Sequence, residues 1–482
     1  MSKVDPFLRP AGIGGEMSLP GSESWSTVAD MAQSPRPRTN GAMNTLLAGD
    51  APAHDWYRFV LSFPPHLVRD YVHRFGLGTD STLLDPFCGT GTTLVEAKKL
   101  GVPSVGLEAV PVSRLAAATK VDWAPDPGEL LQHAELVAEK ALARLAADGI
   151  ADEPTNSAPP SVRLRSLPPP SAKLLLKDSV SALPLHKVLV LRDALDGEHD
   201  GRFVDHERLA LARILPMEVG NLRFGPEVGV GTIKSDAAVV SAWLARVRAM
   251  CADLHRLRAL NSTPAVARAG DARAVGLQLE PNSIDAVITS PPYPNEKDCS
   301  RTVRLESVIL GYLNDRADLQ EMKRGLLRSN TRGVYRNDED DAWIRDDAEV
   351  ERIAAAIESR RLDLGKDSGF ERMYHRVTRL YFGGMARHLE SLRPALRPGA
   401  RLAYVVGEQA SYLRVMIRTG QVLAGIAERA GYEVESIDLF RTRHATATRD
   451  QLREEVLVLR WPGTDSEPAG DEPIEAPDWR LV

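Results

Sequence analysis

Cysteine is scarce in this sequence, and its spacing excludes a metal-binding motif. Cys88, Cys251 and Cys299 are the three cysteines among 482 residues, and they lie far apart along the chain. No pair has the close spacing that zinc ligands need, so we expect no metal site. So few cysteines fit a reducing compartment, which favours the cytoplasm.

Long apolar runs are also missing. No stretch approaches the roughly 20 residues that span a membrane, and the N-terminus lacks the basic, apolar and small-residue regions of a signal peptide. Positive charge is not in excess either, because 66 aspartates and glutamates outnumber 60 lysines and arginines and give a net charge of −6. This balance neither supports nor excludes nucleic acid, since phosphate binding needs only one basic face.

The composition otherwise fits a globular protein with loose ends. Hydrophobic residues make up 43% of the chain and charged residues 26%, which are ordinary values for a soluble fold. Residues 1–50 and 462–482 predict a disordered N-terminal tail and a flexible C-terminal tail. The proline-rich stretch 151–172 predicts an extended linker, and 337–347 is strongly acidic.

Between these segments, short apolar runs alternate with helical patterns. The apolar runs that predict strands lie at 83–84, 104–108, 284–289, 401–407, 433–440 and 455–461. The helical patterns include 111–120, 371–396 and 417–431. Strands that alternate with helices predict an α/β fold with a doubly wound parallel sheet, which binds ligands at the carboxyl ends of its strands.

A glycine-containing turn follows the first of these strands. Asp85 ends the strand, and Gly89 and Gly91 follow in the turn before a helix. Glycine lets the backbone approach a ligand closely, and the helix presents its N-terminus to that ligand. The spacing is neither a dinucleotide fingerprint nor a P-loop. Such a short turn suits a cofactor with an amino-acid tail, although two glycines alone also fit an ordinary tight turn.

The complete string of residues 85–93 is more specific than its glycines. It reads Asp-Pro-Phe-Cys-Gly-Thr-Gly-Thr-Thr, and it resembles the first motif of S-adenosylmethionine-dependent amino-methyltransferases that act on DNA, Asp-Pro-Phe-x-Gly-x-Gly-Thr-Thr. The resemblance implies a Rossmann-like methyltransferase sheet with S-adenosyl-L-methionine as cofactor. The cofactor-binding residues that it implies here are Asp85, Pro86, Phe87, Cys88, Gly89, Thr90, Gly91 and Thr92.

Other acidic and aromatic residues extend this predicted cofactor site. Glu108 ends the second apolar strand, where an acid can bind both hydroxyls of a ribose. Asp271 and Ala272 follow the third predicted strand, and the resemblance assigns Asp271 to the adenine amino group. The segment 62–72 resembles the family's element beside the methionine end of the cofactor, with an ordinary helix start as the alternative. Its candidate residues are Phe63, Pro64 and His66.

The string Thr-Ser-Pro-Pro-Tyr at 289–293 follows a buried strand and predicts the catalytic loop. An aromatic amine is a poor nucleophile, and a site can activate it by accepting both amino hydrogens through a side-chain oxygen and a backbone carbonyl. Two prolines stiffen the backbone and leave nearby carbonyls free to accept. Tyr293 offers a ring face to a base flipped out of the duplex. The predicted catalytic residues are Ser290, Pro291, Pro292 and Tyr293.

The first residue of this motif indicates the target base. In the family that the motif resembles, Ser-Pro-Pro-Tyr is commoner among cytosine-N4 enzymes, and Asp or Asn in the first position is commoner among adenine-N6 enzymes. Ser290 therefore favours cytosine N4, with adenine N6 as the alternative. Methylation of cytosine carbon 5 needs a cysteine nucleophile, usually after proline. The chain has no Pro-Cys pair, which argues against that chemistry.

Two further readings stay open. Some RNA base methyltransferases carry a similar Asp-Pro-Phe-Cys-Gly string, but they usually have Asp or Asn before the two prolines and a sizeable domain ahead of the cofactor motif. A non-catalytic module that keeps the fold would show degraded motifs, whereas both motifs are intact here. The resemblance covers residues 55–122 and 265–461, so we predict a methyltransferase domain in two parts, 51–122 and 266–461. The largely helical insertion 123–265 is a candidate target-recognition region.

Three sets of residues are candidates for binding double-stranded DNA. In the basic segment 323–336, cations recur near four-residue spacing and would form one stripe on a helix, with a solvated face as the alternative. These cations are Lys323, Arg324, Arg328, Arg332 and Arg336. A predicted loop at 221–227 contains Asn221 and Arg223, and Arg441 and Arg443 could also face the target strand. A DNA enzyme would be nucleoid-associated in the cytoplasm, with a restriction nuclease or defence-system proteins as candidate partners.

The functional hypothesis depends on one spatial expectation. Residues 85–91 and 289–293 lie about two hundred positions apart in the chain. They must nevertheless meet at neighbouring strand ends around a shared cleft, because methyl donor and acceptor have to touch.

Overall fold

The computed structural model describes residues 46–58, 62–154, 162–225, 227–295, 298–410, 412–444 and 451–463. Nine strands form in these ranges, seven in one sheet and two in a separate hairpin. In chain order they are β1 Leu83–Asp85, β2 Ser104–Glu108, β3 Leu222–Phe224, β4 Val228–Val230, β5 Ala265–Ala269, β6 Ile284–Thr289, β7 Leu396–Gly407, β8 Glu433–His444 and β9 Gln451–Arg460.

The seven-stranded sheet has the order β5-β2-β1-β6-β7-β9-β8. Neighbouring strands are parallel except at β9, which runs antiparallel to both β7 and β8. From β1 the chain adds β2 and β5 on one side, then crosses to β6 and β7 on the other, so the order reverses between β1 and β6. The predicted doubly wound, Rossmann-like sheet is confirmed, and such a reversal is where these sheets bind ligands.

Helices cover both faces of the sheet. β6 is almost entirely buried, as expected for a central strand covered on both sides. The α-helices are α1 Ala51–His54, α2 Pro65–Phe75, α3 Thr92–Lys99, α4 Pro111–Val121, α5 Pro127–Ala147, α6 Pro169–Ala172, α7 Ala182–Gly197, α8 Val204–Ile214, α9 Val240–Leu257, α10 Cys299–Thr302, α11 Arg304–Ile309, α12 Arg316–Arg324, α13 Ala348–Asp363, α14 Tyr374–Leu392 and α15 Thr419–Arg429.

The insertion 123–265 is largely helical, as predicted, and it contributes α5 to α9. Its buried side chains belong to the same core as those of α4: Leu209 and Trp243 of the insertion share a cluster with Val112 and Ala116. This shared core fixes the insertion against one face of the sheet.

Two local predictions in the insertion are wrong. Residues 222–224 form β3 of an antiparallel hairpin rather than a loop, because they can pair with the following apolar run. Pro169 and Pro170 begin the one-turn helix α6 rather than continuing an extended linker. Proline suits the first turn of a helix, where its missing N–H has no helical partner.

The predicted tails lie almost entirely outside the described residues. Of the N-terminal tail 1–50, the described part is 46–50, where Ala48–Asp50 form a 3₁₀ turn and Asp50 pairs with Arg69 at 3.0 Å. Of the C-terminal tail, only 462 and 463 are described. Within the described ranges, every helix is too short or too polar to cross a membrane.

Candidate functional site

The two predicted loops meet at the carboxyl edge of the sheet. β1 and β6 are parallel neighbours, with Leu83 opposite Ala286. Beyond this pairing, the Thr289 hydroxyl donates a hydrogen bond to Asp85 Oδ1 at 2.6 Å. Both side chains are buried. The expectation that residues 85–91 and 289–293 share one edge is therefore confirmed.

The glycine turn after β1 has the backbone that only glycine adopts easily. Gly89 has φ +51° and Gly91 has φ +86°, both in the left-handed region. A Cβ at Gly91 would lie 2.9 Å from Ala117 Cα on α4, so larger residues would separate α3 from α4. The turn thus requires glycine for close packing as well as for conformation.

Glu108, at the carboxyl end of β2, points into the same edge. Its Oε2 accepts a hydrogen bond from the Gly89 N–H at 2.9 Å, and its Oε1 accepts one from the Val110 N–H at 2.7 Å. Burial raises the pKa of this carboxyl to about 7, against the opposing effect of these two N–H donors. Each oxygen has a further lone pair, so the carboxylate can still accept two hydroxyl groups.

A cavity of about 390 Å³ opens above these strand ends. Its volume lies in the usual range for small-molecule sites, about 300–1,000 Å³. The cavity brings together most predicted cofactor residues and the whole predicted catalytic loop. The predicted residues that line it are Phe63, Pro64, Pro86, Phe87, Cys88, Gly89, Thr90, Thr92, Glu108, Asp271, Ala272, Ser290, Pro291, Pro292 and Tyr293.

Three residues predicted to bind the cofactor lie behind the cavity wall instead. Gly91 packs on α4, as described above. His66 is buried beside Phe440, with ring centroids 5.9 Å apart. Asp85 is buried beneath the turn, where its Oδ1 also accepts a hydrogen bond from the Phe87 N–H at 3.1 Å. The sequence could not distinguish a wall residue from one that supports the wall, because both occur in the same motif.

Asp85 is an unusual residue for this supporting position because it is an acid whose side chain is almost completely buried. Its Oδ2 is buried without a hydrogen-bond partner among the described residues. Burial raises the pKa of Asp85 to about 6, while the hydrogen bonds that its Oδ1 accepts from Thr289 and Phe87 favour the ionised form and lower it.

Asp271 lines the cavity, but its carboxylate is already engaged by Arg273. The Arg273 guanidinium pairs with Asp271 Oδ2 at 2.7 Å and with Asp340 Oδ2 at 2.5 Å. The same guanidinium donates to the Arg324 carbonyl oxygen at 2.6 Å. Sequence reasoning missed Arg273, although an arginine two residues after the acid was a visible signal.

The predicted catalytic loop is held from three sides. Ser290 Oγ donates to the Val405 carbonyl oxygen of β7 at 3.3 Å. The Tyr293 ring lies against Gly407, where a Cβ would approach ring atom Cε2 to 2.8 Å. The Asn295 N–H donates to the Ser329 carbonyl oxygen at 2.7 Å. Gly407 was missed as a functional residue because a strand-ending glycine is common.

The basic segment 323–336 does not form one helical stripe, so that prediction is wrong. Helix α12 ends at Arg324, and the next regular element is a 3₁₀ turn at Thr331–Gly333. Lys323 and Arg328 are buried and line the cavity. The side chains of Arg324, Arg332 and Arg336 are exposed.

The acidic stretch that follows neutralises part of this segment. Arg328 forms a two-pronged pair with Asp338, with nitrogen–oxygen distances of 2.9 and 2.8 Å. Lys323 pairs with Asp298 at 3.0 Å. Spacing along the sequence could not reveal these pairs, because Asp298 lies 25 residues before Lys323.

The other predicted DNA contacts divide into two groups. Asn221 is buried away from the cavity, where its Nδ2 donates to the Asp178 carbonyl oxygen at 2.9 Å, so it supports the β3–β4 hairpin. Arg223 is exposed on that hairpin. Arg441 and Arg443 of β8 line the cavity, and both pair with Glu454, at 2.5 and 3.4 Å. No cluster of three or more potential metal ligands occurs in the described ranges.

Comparison with known proteins places part of the chain in a methyltransferase context. Residues 64–149 match the family described as RMKL-like, methyltransferase domain (UPF0020). The chain is 25% identical over 314 residues to the type II methyltransferase M.BsoBI of Geobacillus stearothermophilus, covering 57% of this chain and 55% of that protein. It is 23% identical over 443 residues to the type II methyltransferase M.AvaI of Anabaena variabilis, covering 85% and 87%.

Similarity to solved structures is weak. TrmN from Thermus thermophilus aligns with a TM-score of 0.26 and 9% identity, over 82% of this chain and 48% of that chain. The family match and the relatives, at low identity, support a methyltransferase, for which S-adenosyl-L-methionine is the methyl donor.

Proposed function

We propose that the chain is a site-specific DNA methyltransferase that transfers a methyl group from S-adenosyl-L-methionine to the exocyclic N4 of cytosine. The observation that carries the proposal is the shared cavity, lined by the glycine turn on one side and Ser290–Tyr293 on the other. The 2.6 Å bond from Thr289 to Asp85 joins these two sides. Adenine N6 is the alternative target, and an RNA base is a less favoured one.

The cofactor side of the cavity fits the proposed donor. The Glu108 carboxylate, fixed by two main-chain N–H groups, would accept the ribose hydroxyls. The glycine turn leaves room for the cofactor's amino-acid tail, and Phe63 and Phe87 give the wall apolar surface. When bound, S-adenosyl-L-methionine supplies an electrophilic methyl group on a sulfonium.

The acceptor side can activate an aromatic amine. Because the Ser290 hydroxyl donates its hydrogen to the Val405 carbonyl, the lone pairs of Ser290 Oγ remain available to accept an amino hydrogen. A nearby backbone carbonyl of the proline pair would accept the second hydrogen. The amino nitrogen would form a bond to the methyl carbon as the sulfur–methyl bond breaks, S-adenosylhomocysteine would leave, and the proton that the nitrogen loses would pass to solvent, while Tyr293 stacks on the base. Positioning supplies most of the rate.

The DNA would lie across the mouth of this cavity. Arg441 and Arg443 of β8 line the cavity and are the proposed contacts to the strand that carries the flipped base. Exposed Arg324, Arg332 and Arg336 are candidates for phosphate contacts. The insertion 123–265 is the proposed target-recognition region, and a restriction nuclease or defence-system proteins are the proposed partners.

The test is to incubate the purified protein with labelled S-adenosyl-L-methionine and either duplex DNA or RNA. We expect label in DNA, and hydrolysis to nucleosides should yield N4-methylcytosine. Recovery of N6-methyladenine would support the alternative target. Label in RNA alone, or in neither polymer, would overturn the proposal.

Variants of the catalytic loop test the residue assignment. Ser290→Ala and Tyr293→Ala should each abolish methyl transfer while cofactor binding, measured by calorimetry, stays close to that of the parent protein. Ser283→Ala is a matched control. Ser283 lies directly before the same strand, and in the described part of the chain its hydroxyl bonds only to the Glu280 carbonyl. Full activity in both loop variants would contradict the assignment.

A further inference from the structure

One part of the basic segment faces the cavity rather than solvent. Residues 323–330, here called the cover segment, contribute Lys323, Gly325, Leu326, Leu327, Arg328, Ser329 and Asn330 to the cavity lining. Most of this lining is apolar or already paired. The segment therefore has the chemistry of a wall rather than that of an exposed phosphate-binding surface.

The cover segment lies over the end of the cavity where Glu108 is found. A Cβ at Gly325 would lie 3.5 Å from the Ala109 side chain, directly after Glu108. The Arg324 carbonyl oxygen accepts the 2.6 Å bond from Arg273, which also holds Asp271. The segment is thus fastened to the ends of β2 and β5, the two strands that carry the predicted ribose and adenine contacts.

A buried ion pair holds the beginning of the cover segment. Lys323 Nζ donates to Asp298 Oδ2 at 3.0 Å and to the Arg332 carbonyl oxygen at 3.1 Å. Asp298 also accepts a hydrogen bond from Ser300 Oγ at 2.5 Å. Both charged side chains are less than a tenth exposed. Removing one partner of such a pair leaves a buried charge without compensation, so the pair strongly favours one geometry.

The end of the cover segment is fastened as well. Arg328 donates to the Lys323 carbonyl oxygen at 2.7 Å and pairs with Asp338. The Ser329 carbonyl oxygen accepts the hydrogen bond from Asn295, two residues after the predicted catalytic loop. The cover segment therefore touches both the nucleoside end of the cavity and the loop that would hold the base.

We propose that residues 323–330 cover the adenosine end of bound S-adenosyl-L-methionine, and that the Lys323–Asp298 ion pair keeps this cover closed. This inference rests on the proposed function. Lys323 and Asp298 are then positioning residues for the cofactor, and Lys323 makes no DNA contact. A closed cover excludes water from the ribose and adenine, so its loss raises the dissociation rate of the cofactor.

Neighbouring residues of this segment provide a matched comparison. Lys323 is buried, whereas the Arg324 side chain is 70% exposed and pairs only with Glu321 at the surface. The substitution Lys323→Met keeps an unbranched side chain of similar length and removes the charge. Arg324→Ala removes a neighbouring charge and leaves the carbonyl that Arg273 contacts.

The experiment measures the Kd of S-adenosyl-L-methionine and of S-adenosylhomocysteine by calorimetry without DNA. We expect Lys323→Met to weaken both at least about tenfold, a change of about 1.4 kcal/mol, and Arg324→Ala to stay within about twofold of the parent protein. In DNA binding, Arg324→Ala should reduce the slope of log Kd against log salt, and Lys323→Met should leave it unchanged.

A second variant tests the proposed cover if Lys323→Met does not fold. Gly325 has φ −74°, which any residue adopts, so Gly325→Val should fold. A Cβ there would lie at an ordinary contact distance of 3.5 Å from Ala109, so the γ-methyl groups of valine, which extend beyond Cβ, would displace the cover while the ion pair stays intact, and cofactor binding should again weaken.

The outcomes distinguish the two proposals. Parent-like cofactor affinity in Lys323→Met, or in Gly325→Val if the first variant is unfolded, would overturn the cover. A smaller slope of log Kd for DNA against log salt in Lys323→Met would also overturn the cover, since it would mean that Lys323 contacts DNA. If the parent protein itself bound no cofactor, both the proposed function and the proposed cover would be wrong.

Discussion

Glu108 is an acid whose pKa lies near neutral pH. Burial raises its pKa to about 7, whereas accepting ribose hydroxyls requires the ionised form. We therefore predict that cofactor affinity rises as the pH increases through about 7 and levels off above it, by up to about tenfold per pH unit below the pKa. Calorimetry with S-adenosylhomocysteine between about pH 6 and 8 measures this dependence.

Glu108→Gln provides the control for this prediction. The amide cannot ionise, so its cofactor affinity should be lower than that of the parent protein and nearly constant over the same range. Asp85 also titrates nearby, with a pKa of about 6. An unchanged pH dependence in Glu108→Gln would therefore assign the effect to another group.

Thr289 makes the direct link between the donor and acceptor loops. Thr289→Val keeps the shape of the side chain and removes the hydroxyl that Asp85 accepts. We predict that kcat falls at least about tenfold, because the loops lose their alignment, while Thr289→Ser restores most of it. Single-turnover methylation with saturating cofactor measures the change.

A buried threonine elsewhere separates alignment from general stability. Thr378→Val removes a hydroxyl that bonds only to the Tyr374 carbonyl within α14, at 3.0 Å. It should leave kcat unchanged. Equal losses in the Thr289 and Thr378 variants would mean that the Thr289 hydroxyl has no special role.

At the scale of a structural element, strand β7 shapes the catalytic loop through its last residue. A Cβ at Gly407 would come within 2.8 Å of the Tyr293 ring. We predict that Gly407→Ala displaces this ring, lowers methyl transfer at least about tenfold and leaves cofactor affinity intact. Gly78→Ala is the control, because that glycine lies outside the cavity lining and has open space around its Cβ position.

The elements that could be predicted from sequence are those specified by local patterns. The turn at Gly89 and Gly91 needs backbone conformations that few residues adopt, and β6 is a mostly apolar run, so both were recognisable. The conformation of the basic segment 323–336 was not recognisable, because it depends on ion pairs with Asp298 and Asp338. Regular spacing predicts a helix only where no distant partner competes, and here buried ion pairs redirect the chain.

The same reasoning explains the candidate site. Residues 85–93 and 289–293 were predicted as site residues because each forms a short local string that resembles a family motif and follows a strand. Arg273 and Gly407 were missed because their role lies in what they touch across the sheet. Only the structure could show which of these residues line the cavity and which lie behind its wall. Asp85 is an example, because it is buried.

At the scale of the whole molecule, the insertion and the sheet share one core. Leu209 of α8 is fully buried in the cluster that also contains Ala116 of α4. We predict that Leu209→Ala lowers the free energy of unfolding by about 2–5 kcal/mol and that the described part of the chain still unfolds in one transition. Denaturant unfolding followed by fluorescence and by cofactor binding measures both quantities.

A surface substitution in the same helix tests whether the loss of stability is specific to the buried position. Arg208→Ala removes a charge that pairs with Asp196 at the surface of α8 and should change stability by less than about 1 kcal/mol. If cofactor binding were lost at a different denaturant concentration from the rest of the structure, the insertion would be an independent unit.

The bond between Asp85 and Thr289 connects positions 204 residues apart. On a ribosome that adds about 5–20 residues per second, the glycine turn would emerge roughly 10–40 seconds before its partner strand. During that interval β1 lacks its neighbour β6, and the nascent chain holds only one of the two loops that line the cavity. Premature termination before residue 289 would therefore release a product without residues 289–293.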